Sequence, residues 1–127
     1  MRVWILLLPL LTGCAPAVAS PSAAAPASVV GQFSDALRQR DGAAACALLS
    51  ARTREDVGPS CAEQVLTLAL TLRTGPPGAT EVWGDAARVR AGDTVFLSAY
   101  DEGWRITGAG CERRGQDLPY RCALGGP

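Results

Sequence analysis

The stretch Thr94-Val95-Phe96-Leu97-Ser98-Ala99-Tyr100-Asp101-Glu102-Gly103-Trp104-Arg105-Ile106-Thr107 decides how the chain folds. Successive side chains of a strand point to opposite faces, so Val95, Leu97 and Ala99 share one face while Phe96, Ser98 and Tyr100 share the other. Beyond Asp101-Glu102-Gly103 the alternation resumes, with Trp104 and Ile106 opposed to Arg105 and Thr107. Asp and Gly tolerate the positive φ of a tight turn, so the stretch predicts a hairpin of strands over 94–101 and 103–112. Two shorter alternating runs, 81–84 and 86–90, precede it, and Gly84-Asp85 and Ala91-Gly92-Asp93 supply the turns. The second half therefore reads as a four-stranded antiparallel meander.

Upstream of Thr80 the apolar period is helical. Ser28 can cap a first helix whose inner face is Val29, Val30, Phe33, Ala36 and Leu37. Asp41 can cap a second, with Ala45, Leu48 and Leu49 inward, ending near Ser50. Ser60 and Glu63 form a capping box opening a third helix over 61–73, with Val65, Leu66, Leu68, Ala69 and Leu72 apolar. The cluster Gly75-Pro76-Pro77-Gly78 ends it. Helices first and strands second predict an α+β fold, three helices packed on one face of the four-stranded sheet.

The chain has 127 residues, enough for one domain, and at 48% hydrophobic it is too apolar to be disordered. Twelve Arg balance 12 Asp plus Glu, so the basic stripe of a nucleic-acid binder is missing and no nucleic-acid partner is expected. There is no His, which removes His-based acid/base catalysis and His-containing metal sites. No cofactor and no metal are expected. Arg as the only basic residue, with abundant Ala, matches GC-rich coding.

At the N-terminus Arg2 precedes the apolar run Val3 to Leu11, far shorter than the about 20 residues a membrane-spanning helix needs. It fits the n- and h-regions of a secretory signal. Leu11-Thr12-Gly13-Cys14 follows directly and resembles the lipobox of bacterial lipoproteins, which implies cleavage after residue 13 and lipidation of Cys14. Two or three acyl chains on one cysteine make a lasting anchor. Residues 14–27 then read as the lipidated Cys and an Ala/Pro/Ser-rich tether. Pro16, Pro21 and Pro26 oppose helix there, and an extended tether would lift the domain roughly 40 Å. The folded domain is expected over 28–127.

That domain resembles the NTF2-like family, in the small, often lipid-anchored form found in high-GC Gram-positive bacteria. The residues that carry the resemblance are Phe33-x-x-Ala36-Leu37, Arg40-Asp41-Gly42-Ala43-Ala44-Ala45-Cys46, Cys61, and Asp101-x-Gly103-Trp104-Arg105-Ile106 followed by Cys111. The resemblance implies that the sheet is curved around the helices into a cone, and that homodimers are open to it through the sheet.

Five cysteines leave one unpaired in an exported chain, and lipidation of Cys14 leaves four for disulfides. Four cysteines allow three pairings. The favoured one joins Cys46 to Cys61, tying the second helix to the start of the third, and Cys111 to Cys122, pinning the tail to the last strand. Neither pair has the Cys-x₂-Cys spacing of a zinc ribbon.

Trp83, Phe96, Tyr100 and Trp104 are the candidate lining of an apolar pocket, with Arg88, Arg90 and Arg105 available to hold an anionic group there. The plainer alternative places the aromatics in the core and the arginines on the solvent face. Arg113-Arg114 offers a weak contact to anionic lipid. Asp35, Asp101, Tyr100 and Tyr120 are the candidate proton carriers, and no pair of them forms a recognisable acid/base constellation. The expectation is a non-catalytic, lipid-anchored binding or interaction module at the outer face of the cytoplasmic membrane, its partner an envelope protein or a small ligand. A carrier of an apolar or amphipathic ligand in the cone is the alternative, and an isomerase- or dehydratase-type enzyme the second.

Overall fold

The alternating residues from Thr80 onward pair into one antiparallel sheet in a computed structural model of the chain, which describes residue 13, residues 24–115 and residues 119–127. The strands are β1 (Thr80–Trp83), β2 (Ala86–Ala91), β3 (Asp93–Tyr100), β4 (Gly103–Arg113) and β5 (Tyr120–Gly125), in the spatial order β1-β2-β3-β4-β5. The helices are α1 (Ala24–Arg38), α2 (Gly42–Ala47), α3 (Ala51–Val57) and α4 (Cys61–Ala69). The α+β order stands, but three helices on a four-stranded sheet is corrected to four helices and five strands among the described residues.

Each difference has a local cause. The fifth strand forms because Cys122 lies directly opposite Cys111 and Leu124 opposite Ala109, so the tail extends the ladder instead of only resting on it. The additional helix, α3, starts where the second was expected to end. Ser50 takes extended backbone angles, and its Oγ accepts from the Thr53 amide at 3.2 Å, capping the new helix. The first helix begins at Ala24, ahead of the expected Ser28 cap, with Pro26 buried in its opening turn. A proline is tolerated there because first-turn amides have no partner within the helix. Residues 24–27 thus belong to the helix, not to the tether. The rest of the tether, Cys14 and the leader apart from Gly13 lie outside the described residues. The third predicted helix, now α4, ends at Ala69 rather than Arg73, and Ser60 makes no side-chain cap bond. Thr71 turns its hydroxyl back to the Leu68 carbonyl at 2.8 Å, and the Asp93 amide donates to the Arg73 carbonyl at 2.8 Å, drawing that residue to the sheet.

The core lies between the two layers. Val30, Phe33 and Leu37 of α1 meet Val89 of β2, Leu97 of β3 and Ile106 of β4, joined by Leu49 and Val65. Cys46 of α2 is disulfide-bonded to Cys61 of α4, with Cα atoms 6.1 Å apart. The two helices approach so closely that a Cβ on Gly42 would stand 1.9 Å from the Ala62 carbonyl oxygen. Segment 48–50 also joins the sheet by backbone bonds. The Ile106 amide donates to the Leu48 carbonyl at 2.9 Å, and the Ser50 amide to the Ile106 carbonyl at 2.8 Å. This segment fills the flank of β4 that β5, pairing only from Gly108 onward, leaves open.

Ser50 and Thr53 are buried, their hydroxyl oxygens 2.7 Å apart, and Thr53 Oγ1 donates to the Thr107 carbonyl at 3.2 Å. Ser50→Ala should lower stability by about 1–2 kcal/mol, because it removes the α3 cap and a buried partner of Thr53. Urea unfolding followed by circular dichroism checks this. An unchanged midpoint would mean that packing alone holds α3.

Candidate functional site

On the face of the sheet turned away from the helices, polar side chains are positioned by hairpin register. Glu81 and Arg88 are equidistant from the Gly84-Asp85 turn, so antiparallel pairing sets them opposite one another. Arg88 Nη2 donates to both Glu81 carboxylate oxygens, at 2.7 and 2.8 Å. Arg88 Nη1 donates to the Tyr120 hydroxyl at 3.2 Å, and the guanidinium carbon lies 5.3 Å from the Trp83 ring centre. The hydrogen bond to Glu81 raises the Arg88 pKa above the ordinary arginine value against the opposing effect of burial, so this cation is permanent.

Tyr120 reaches this cluster from β5. Gly108 of β4 lies opposite Phe96 and carries no side chain, and the Tyr120 ring meets the Phe96 ring nearly edge-on, centroids 5.0 Å apart. The Arg113 guanidinium carbon stands 5.8 Å from the Tyr120 ring centre. A groove of about 540 Å³ adjoins this cluster. Arg73, Arg88, Arg90 and Arg113 line it together with Glu81, Asp93 and Glu112, and Cys111 of the Cys111–Cys122 disulfide forms part of its wall.

Most of these charges are already engaged. Arg73 Nη2 is 3.6 Å from Glu112 Oε1, and Asp93 Oδ2 accepts from the Arg73 amide at 2.9 Å. Among the described residues Arg90 and Arg113 form no ion pair. The arrangement can hold an anion beside fixed carboxylates.

The four aromatics of the expected pocket divide between the two faces. Trp104, opposite Ala99, is buried in the core at 9% exposure. Trp83 shares the outer row with Ala86, Ser98 and Arg105 and is 53% exposed. Phe96 and Tyr100 are also on the outer face, Phe96 against Tyr120 and Tyr100 exposed near the β3–β4 turn. None of the four lines this groove or two others of about 450 and 490 Å³. Arg88 and Arg90 do line the first groove. Arg105 lies in the Trp83 row and donates to the Trp104 carbonyl at 2.9 Å.

The candidate proton carriers are dispersed. Asp35 is exposed on α1 and paired with Arg38. Tyr100 and Asp101 sit at one end of β4, and Tyr120 pairs with Arg113 at the other. Among the described residues no helix is long and apolar enough to cross a membrane.

The grouping of Arg73, Glu81, Asp93 and Glu112 with the arginines of β2 escapes a reading of the sequence alone. One part of it was accessible: the equal distances of Glu81 and Arg88 from their turn. No family model matches the chain, and no curated protein or solved structure matches it.

Proposed function

We propose that the chain is a non-catalytic binding or interaction module, anchored by a lipid on Cys14 at the outer face of the cytoplasmic membrane. The observation that carries this reading is the cysteine pattern. Cys46, Cys61, Cys111 and Cys122 are consumed in two disulfides, which leaves Cys14, at the position of the lipobox, as the odd cysteine. The short apolar run from Val3 to Leu11, directly ahead of Leu11-Thr12-Gly13-Cys14, supports the same reading. The groove supports a binding role, since two ion pairs, Arg88 with Glu81 and Arg73 with Glu112, hold its walls beside a disulfide while Arg90 and Arg113 keep their charges outside those pairs.

Cys14→Ser should move the protein from the membrane fraction to the soluble fraction, because one substitution removes every acyl chain. Fractionation of cells expressing each form, with mass spectrometry of the N-terminal peptide, measures it. A Cys14→Ser protein that still sediments with membranes overturns the anchor.

A further inference from the structure

We infer that the groove beside Arg88 binds a small ligand carrying one oxyanion, a carboxylate or a phosphate, on a hydroxyl-bearing body. The inference rests on the reading of the domain as a binding module and names the chemical class that module takes.

Four guanidinium groups and three carboxylates line the groove. Arg88 is committed to Glu81 and to Tyr120, and Arg73 faces Glu112. That leaves Arg90 and Arg113, both exposed and without an ion pair among the described residues, as the donors for an incoming anion. Arginine presents a planar fork of donors that matches carboxylate and phosphate oxygens.

The carboxylates limit what else can enter. Glu81, Asp93 and Glu112 would repel a second anionic group on the same ligand, so a polyanion is disfavoured. The same oxygens accept hydrogen bonds from hydroxyls, and the Tyr120 hydroxyl, already accepting from Arg88, can donate its own proton. About 540 Å³ is within the range of small-molecule sites and larger than a bare inorganic ion requires. One oxyanion plus several hydroxyls is the chemistry of an acidic or phosphorylated monosaccharide. The site is also stiff, because Cys111 in its wall is bonded to Cys122 and Arg88 is fixed by three hydrogen bonds.

The test is isothermal titration of the full chain, purified in mild detergent, with glucuronate, glucose 1-phosphate, inorganic phosphate and uncharged glucose. Glucuronate or glucose 1-phosphate should bind with a Kd at or below about 1 mM, and glucose should not. Binding by glucuronate alone assigns the carboxylate, and binding by the two phosphates alone assigns the phosphate. Arg90→Ala and Arg113→Ala should each weaken the charged probe by about 10- to 100-fold. Arg90→Lys, which keeps the charge but not the fork, should fall between. Both arginines are exposed, so the variants should keep the wild-type thermal midpoint, which circular dichroism verifies. Absence of heat from every charged probe, equal binding of glucose, or affinity indifferent to the arginine variants overturns the inference. Membrane fractionation of the same protein is read separately, so a failed titration with an intact anchor removes the groove's ligand and leaves the anchored module standing.

Discussion

Phe33→Ala is expected to lower the unfolding free energy by about 3–5 kcal/mol, the range for emptying a well-packed aromatic site. Phe33 is 2% exposed and belongs to the cluster formed by α1 with the inner faces of β2, β3 and β4. A domain of this size has a total stability of about 5–15 kcal/mol, so the variant should be close to unfolding at room temperature. Urea titration should show a lower midpoint with an unchanged slope. A loss below about 1 kcal/mol would mean that α1 does not carry the core as described.

Removing the disulfides should have an effect of similar size. Cys46 and Cys61 are separated by 15 residues and Cys111 and Cys122 by 11, so chain-entropy reasoning gives about 3 kcal/mol for each bond. The two Cys→Ala pairs are distinguishable. Losing Cys46–Cys61 frees α2 from α4 but leaves the groove, so the thermal midpoint should fall and the binding of a charged probe at low temperature should persist. Losing Cys111–Cys122 loosens a wall of the groove and should reduce both. Equal loss of binding in the two variants would show that the second bond has no local role.

The parts of the fold that were legible in the sequence are those with a strong apolar period. Val30, Phe33, Ala36 and Leu37 are buried as their helical spacing predicts, and the strands over Ala86–Ala91, Asp93–Tyr100 and Gly103–Arg113 follow their alternation closely. Asp41 caps α2 through its Oδ1, which accepts from the Ala44 amide at 3.0 Å. The elements that escaped are held by other forces. Residues Ala51–Val57 have no apolar stripe, and their helix depends on the Ser50 cap and the Thr53 hydroxyl. Tyr120, Cys122 and Leu124 do alternate, but Pro119 before the run and Gly125-Gly126-Pro127 at its end are residues that mark loop rather than strand.

The groove was less legible than the fold, for a physical reason. An outer sheet face carries no hydrophobic period, so its groupings follow from register and not from composition. Trp83 and Trp104 look equivalent in sequence, yet Trp83 shares a row with Arg105 while its neighbour Trp104 turns to the core. Only pairing across all three hairpin turns separates them. Arg73 and Glu112 lie 39 positions apart in the chain, and they meet because the segment after α4 is tied to the β2–β3 turn.

The segment around Leu49 has a consequence for how the molecule opens. Its amides and carbonyls are shared with Ile106, so the helical half cannot lift from the strands without breaking a ladder that also runs through the middle of β4. In hydrogen exchange the Ser50 and Ile106 amides would then trade their protons together, at the rate of the deepest opening rather than of a fraying edge. Helices and strands, although consecutive in the chain, behave as one cooperative unit.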